Sequence, residues 1–211
     1  MLNAYPVLEK DLCYKEEIKK SRFITYLMHA SGKSNAMSRL QEIKLSHPNA
    51  GHHCWAYIAG SPSASVEQGC SDDGEPKGTA GKPMLSLLQG AKVGELLGVV
   101  VRYSGGVKLG TGGLVHAYSN GIRQLIKQMQ VREKCFYKQY QLQCDHAQMA
   151  LIENILADYW GYVVHIKYQY KVDVILAIDV RKCASFLLKI ASITQGKVHV
   201  KNISDDNDSV E

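Results

Sequence analysis

Long apolar runs are missing from this sequence. No segment approaches the ~20 consecutive apolar residues that a membrane-spanning helix needs, and the longest candidate, Leu96 to Val101, is strand-sized. The opening MLNAYPVLEK has neither a basic start nor an apolar stretch, so no signal peptide is expected. Six cysteines are present, but they are scattered and none forms a CxxC pair. This argues against a disulfide framework and for small core residues in a reduced compartment. The expectation is a cytoplasmic protein without a membrane partner. Internal repeats and low-complexity stretches are also lacking. An apolar fraction of 45% over 211 residues buries a core without covalent staples.

Strong net charge is absent as well, but the modest excess is unevenly placed. The chain carries +5. Up to Glu133 there are 16 Lys and Arg against 11 Asp and Glu, whereas from Lys134 onward there are 9 of each. All the excess lies in the first half, which suits a polyanionic partner. The periodicity changes at the same place. A first domain is expected over residues 1–134, a second over 135–204, and an acidic tail over 205–211.

The second domain reads as β-α-β-β-α-β. Tyr137 to Cys144 alternates as a strand. His146 to Tyr159 carries Met149, Ile152, Leu156 and Tyr159 at helical spacing. Tyr162 to Tyr168 and Val172 to Ile178 follow as strands. Cys183, Phe186, Leu187 and Ile190 make a second helical stripe, and Val198 to Ile203 a last strand. That order is ferredoxin-like. An RNA-recognition motif shares it, but its third-strand aromatics are replaced here by Val172-Asp173-Val174-Ile175. In the first domain, strands are expected over Ser21–His29, His53–Ala59 and Leu96–Tyr103. Helices are expected over Ser34–Leu45 with Ser34 as N-cap, over Pro83–Leu88, and over Gly113–Gln130. Gly60 to Gly78 reads as a long loop.

Three stretches hold candidate chemistry. In the first, Arg102 and Tyr103 end an apolar strand. Gly105, Gly106, Lys108, Gly110, Thr111, Gly112 and Gly113 then lead into the longest helix. Glycines allow close backbone approach to a ligand. The unpaired N–H groups and partial positive charge of a helix N-terminus favour an anion. Along that helix His116, Asn120, Arg123 and Lys127 are neutral or basic. The bland alternative is a turn that needs glycine for geometry alone. Neither the P-loop nor the dinucleotide fingerprint is present.

The second stretch is SDDGEPKGTAGKP, with Ser71, Asp72, Asp73, Gly74, Glu75, Lys77, Thr79 and Lys82. Its carboxylates suit a hard cation, general acid–base work, or a fixed turn. The spacing is not that of an EF-hand loop. An ordered loop whose carboxylates pair with Lys77 and Lys82 is the favoured reading. In the third, alternation over GHHCWAY puts His52, Cys54, Ala56 and Ile58 on one strand face, as core. His53, Trp55 and Tyr57 fall on the other. The latter set is either an aromatic stripe for base stacking or a face covered by a helix. Adjacent strand histidines point apart, so no zinc site is expected. No cofactor is implied. The nucleophile-elbow pattern G-x-S-x-G is absent, and nothing in the sequence activates Cys54 or Cys70.

At EEIKKSRFITYL, HHCWAY, SDDGEPKGTAGKP and VVVRYSGGVKLGTGGLVHAY the chain resembles the IMPACT family, in its two-domain bacterial branch. The likeness spans most of the chain. It implies a first domain with the fold of the fourth domain of elongation factor G. The second would then resemble the fifth domain of that factor. Contact with ribosomal or other RNA and a link to the regulation of translation are implied too. Two departures count. A second aromatic often follows the Arg-Tyr pair in the family, where this chain has Ser104. Eukaryotic members also carry an extra N-terminal protein-binding domain, and that partner is not expected here. Three readings stand: a non-enzymatic RNA- or ribosome-binding module, a nucleotide- or phosphate-metabolite enzyme of GHMP-kinase-like fold, and a protein-interaction adaptor in translation.

Overall fold

The computed structural model describes residues 4–63 and 67–203. The expected acidic tail lies outside them. The chain is mixed α+β and divides into two compact units, one of them spanning Tyr5–Lys134.

The first unit is built on an antiparallel five-stranded sheet, ordered β2-β3-β6-β4-β5. These strands are β2 (Leu12–Ile18), β3 (Ser21–His29), β4 (His52–Ile58), β5 (Gln68–Ser71) and β6 (Leu96–Tyr103). A two-stranded ribbon of β1 (Tyr5–Leu8) and β7 (Val131–Lys134) completes it. The central strand β6 is apolar throughout because both of its faces are covered. Leu96 and Val100 pack with Met84 and Leu88 of α2 (Gly81–Ala91) and Leu114, Ile122 and Leu125 of α3 (Gly110–Gln128). Leu97, Val99 and Val101 pack with Ala36 and Leu40 of α1 (Gly32–Ser46).

The second unit has β8 (Tyr137–Cys144), α4 (His146–Leu156), β9 (Tyr162–Tyr168), β10 (Val172–Asp179), α5 (Cys183–Ile193) and β11 (Val200–Asn202). Its sheet order β11-β8-β10-β9 is fully antiparallel, the ferredoxin-like arrangement. Phe186, Ile152 and Met149 fill the core between helices and sheet.

Several local expectations change. The first helix starts at Gly32, and its N-cap is Ser31, not Ser34. The Ser31 hydroxyl is committed elsewhere, donating to Glu95 Oε1 at 3.1 Å. The stretch Gly60–Gly78 contains strand β5, paired with β4 from Trp55 to Ile58. Helix α3 begins three residues before Gly113. β2 and β3 form a hairpin around Lys19 and Lys20, with φ of 48° and 65°. Both central residues of such a two-residue turn need positive φ. Lysine gives no turn signal in sequence.

Candidate functional site

β6 delivers Arg102 to the helix-α3 side of the sheet, with Phe23 and His52 as its cross-strand neighbours. Burial there demands a partner, and Glu75 supplies it. Arg102 Nη1 donates to Glu75 Oε1 at 2.6 Å, and the side chains are 10% and 3% exposed. The Tyr118 hydroxyl donates to the same Oε1 at 2.7 Å, and His52 Nε2 lies 3.7 Å from it. The Ser21 hydroxyl ties the cluster to the glycine loop: Arg102 Nη2 donates to it at 3.4 Å and the Gly105 N–H at 3.2 Å. Arg102 is therefore not an open anion-binding residue. Its charge is spent on Glu75, which fastens the SDDGEP loop over the sheet.

Asp72 acts as a remote helix cap. Its carboxylate accepts the N–H groups of Gly78 at 2.8 Å, Ala80 at 3.0 Å and Gly81 at 2.8 Å. Ala80 and Gly81 are donors that the start of α2 leaves unpaired, and Gly78 lies in the turn just before it. Burial pushes the Asp72 carboxyl up, but these three backbone bonds and the charge of Lys82 outweigh it, and the pKa falls below its ordinary 3.8. The resulting stabilisation is present above about pH 4 and is lost as pH falls through the lower folded-state value. Asp72→Asn is expected to be less stable than wild type at neutral pH and equal to it in strong acid. Urea midpoints across that range measure the convergence. Parallel curves would remove the capping role.

Asp73, in left-handed conformation at φ 41°, accepts the His53 N–H at 2.7 Å and pairs with Lys44 at 3.5 Å. Its own N–H donates to the Ser71 hydroxyl at 3.1 Å, and its carbonyl bonds His52 Nδ1 at 2.9 Å. The buried Thr79 hydroxyl closes the turn onto the Pro76 carbonyl at 2.7 Å. The expected self-pairing with lysine does not form. Lys77 and Lys82 stay exposed and make no ion pair among the described residues, while Arg102, Lys44 and backbone N–H groups take the carboxylates. Gly74 has φ 87° at the turn. No group of three His, Cys, Asp or Glu gathers as a metal site among the described residues. Cys54 is buried, its thiol donates to the Asp72 carbonyl at 3.0 Å, and burial pushes it up to about 12. That is an inert core thiol.

The β4 aromatic stripe is covered. His53 and Tyr57 are buried against the α1 layer, and Trp55 stacks on Tyr57 at 5.7 Å between centroids. Of the two readings open for this face, the helix-covered one fits His53 and Tyr57.

The glycine-rich turn is open. Gly106, Lys108, Gly110, Thr111 and Gly112 are exposed, Gly105 and Gly113 half-buried, and Lys108 makes no ion pair among the described residues. The first turn of α3 holds no acidic residue; neither does that of α2, but there Asp72 reaches in from outside the helix to accept from Ala80 and Gly81. His116, Arg123 and Lys127 stand exposed along the same helix, while Asn120 donates to Glu16 at 2.8 Å.

Other groups escaped sequence reasoning. Tyr118 and His52 read as core, because their spacing is that of core residues. Their polar ends nonetheless meet Glu75. Glu95, buried at φ 54°, accepts from Tyr5 at 3.0 Å, Ser31 at 3.1 Å and Lys134 at 2.8 Å, with His29 Nε2 2.7 Å away. Burial raises its pKa, but the Lys134 and His29 bonds outweigh that and lower it. These partners are scattered from residue 5 to residue 134, so no local motif announces them.

Known proteins resemble this chain along most of its length. The Impact N-terminal domain family matches residues 19–126, and the domain of unknown function DUF1949 matches residues 142–197. An IMPACT family member of Haemophilus influenzae is 44% identical over 93% of this chain and 96% of its own. The IMPACT family member YigZ of Escherichia coli is 45% identical over 90% of this chain and 93% of its own. A crystal structure of a hypothetical protein, 41% identical, superposes with a TM-score of 0.70 over 98% of this chain and 100% of its own. Two matching domains in sequence, and identity of this level along nearly the whole length, establish that the chain belongs to the IMPACT family.

Proposed function

We propose that this protein is a non-enzymatic RNA-contacting module that works in the cytoplasm in the regulation of translation. The observation that carries the reading is the exposed, unpaired Lys108 and acid-free first turn of α3, continued by His116, Arg123 and Lys127. Backbone donors and a basic row are what a phosphate chain needs. Membership of a family usually linked to translation supports the setting. The alternative of a phosphate-metabolite enzyme loses support. Asp72, Asp73 and Glu75 are engaged with backbone donors, a lysine and a buried arginine, which leaves no idle general base in that loop.

The test is RNA binding by the full chain as salt rises. Affinity is expected to fall steeply. The slope should shrink by about 0.7 for each phosphate contact with a single strand that is removed. Lys108→Ala with Lys127→Ala is therefore expected to flatten it measurably. Binding indifferent to salt would sink the reading. A melting shift with a nucleotide and magnesium, without RNA binding, would return the case to the enzyme. A protein partner recovered after nuclease treatment would favour the adaptor.

A further inference from the structure

The β4 stripe is covered at His53 and Tyr57, but the same sheet face holds a second aromatic group further along, on β3 and β6. Alternation puts Arg22 and Tyr26 of β3, Tyr103 of β6, and Cys13, Lys15 and Glu17 of β2 on the α1 side. Lys15 and Arg22 are exposed, and Tyr26, His47 and Tyr103 are half-buried. The Arg22 guanidinium lies over the Tyr103 ring, 4.3 Å from its centroid. Glu17 is its cross-strand partner. The Arg22 guanidinium nonetheless forms no hydrogen bond or ion pair among the described residues, so its side-chain donors are idle.

Tyr103 is held in place. His47 Nδ1 hydrogen-bonds its hydroxyl at 2.9 Å, and His47 Nε2 hydrogen-bonds the Tyr26 hydroxyl at 2.8 Å. Each ring nitrogen is engaged, so imidazole and both phenols are fixed before any ligand arrives. Burial, together with the charges of His53, Arg22 and Lys15, lowers the His47 pKa.

Beside this platform stands the β2–β3 hairpin tip. Lys19 and Lys20 are exposed there, both at positive φ, in a turn that asparagine or glycine would fill with less strain. A side chain at Gly105 would overlap the Lys20 carbonyl. The hairpin and the glycine loop are therefore packed into one surface. Lys19 and Lys20 lie on it beside Arg22, which pairs with Tyr103 across the strands, and the exposed Lys108 follows three residues after Gly105.

We infer that this end of the sheet receives single-stranded RNA, with an unpaired base stacked on the Arg22–Tyr103 platform and flanking phosphates on Lys19, Lys20 and Lys108. Arginine planes and aromatic rings accept any exposed base face, whereas a duplex keeps its bases stacked inside. The unpaired positive charge supplies the complementarity to a phosphate chain. The inference rests on the RNA reading above and adds the form of RNA and the residues that meet its bases.

The test is fluorescence anisotropy of the full chain with a labelled short oligouridine and with an RNA duplex of the same length. Wild type is expected to prefer the single strand. Arg22→Ala should weaken the single strand about tenfold, leave the duplex unchanged, and keep the melting curve of wild type, since the side chain is exposed. Arg22→Lys retains the charge and should not restore affinity. Lys19→Ala with Lys20→Ala should flatten the salt dependence. If wild type binds RNA but Arg22→Ala binds as tightly, or if Arg22→Lys restores binding fully, the stacking platform is overturned and the RNA reading stands. A wild-type preference for the duplex also overturns it. If wild type binds neither RNA, both readings fall.

Discussion

Glu75→Ala is expected to be the most damaging single substitution in the first domain, at about 3–5 kcal/mol. Glu75 is 3% exposed and is the only carboxylate paired with Arg102 among the described residues. Without it, a guanidinium that is 10% exposed keeps only a 3.4 Å bond to Ser21 and a distant ring contact with Phe23 at 5.7 Å. Its Nε has no partner even now. Tyr118, fully buried, would lose the acceptor of its hydroxyl as well, and an orphaned buried donor carries its own cost. Glu75→Gln should fall between the two, because its carbonyl still accepts from Arg102 and Tyr118 but carries no charge. Glu75→Ala with Arg102→Ala should recover part of the loss, since no unpaired charge then remains. Trp55 lies in the first domain and Trp160 in the second. Urea unfolding followed by fluorescence in a Trp160→Phe background therefore reports this domain alone. A loss below about 1 kcal/mol for Glu75→Ala, the scale of an exposed pair, would mean that Arg102 and Glu75 are not the buried clasp described.

The same cluster shows what the sequence could and could not disclose. Periodicity located most elements. β3 spans Ser21–His29, β6 Leu96–Tyr103, β8 Tyr137–Cys144 and β9 Tyr162–Tyr168, as their alternating or continuous apolar patterns suggest. The ferredoxin-like order of the second domain was also legible, because each strand and helix there keeps a clean period. β5 was not, since Gln68-Gly69-Cys70-Ser71 has little strand propensity and forms by pairing with β4. β1 and β7 pair across more than 120 residues, a contact no local window contains. Sequence marks the charged residues of these stretches but not what they meet in the fold. Arg102 and Asp72 both stood out as charged groups in a glycine-rich setting. Burial decides their chemistry, and burial belongs to the fold: Arg102 faces α3 and needs an anion, while Asp72 faces the first turn of α2 and supplies one. Lys19, Lys20 and Arg22 carry no local pattern that points to chemistry. The fold joins them to the glycine loop, through the hairpin's contact with Gly105, the Ser21 hydroxyl and the Arg22–Tyr103 pair.

Gly105→Ala is expected to have the second large effect, and Gly112→Ala the opposite sign. A methyl group at Gly105 would overlap the carbonyl and Cβ of Lys20. Backbone cannot rotate aside as a flexible side chain does, so the loop or the hairpin must move. Overpacking of this kind costs about 1–3 kcal/mol and sometimes more, and the Gly105 N–H bond to Ser21 at 3.2 Å would be strained with it. Gly112 has nothing within 4 Å of the corresponding position and no positive φ. Alanine there improves helix propensity and should stabilise the domain by up to about 1 kcal/mol. The two substitutions separate folding from binding. Gly105→Ala disturbs the joint between hairpin and loop, so stability and RNA affinity should fall together. Gly112→Ala places a methyl group where the α3 terminus is open to a phosphate, so stability should rise while affinity falls. Gly112→Ala with unchanged affinity would show that no phosphate approaches that turn closely, and would move the RNA contact wholly to the lysines and Arg22. Gly105→Ala with wild-type stability would show that hairpin and loop are free of each other, and the single continuous surface would be lost.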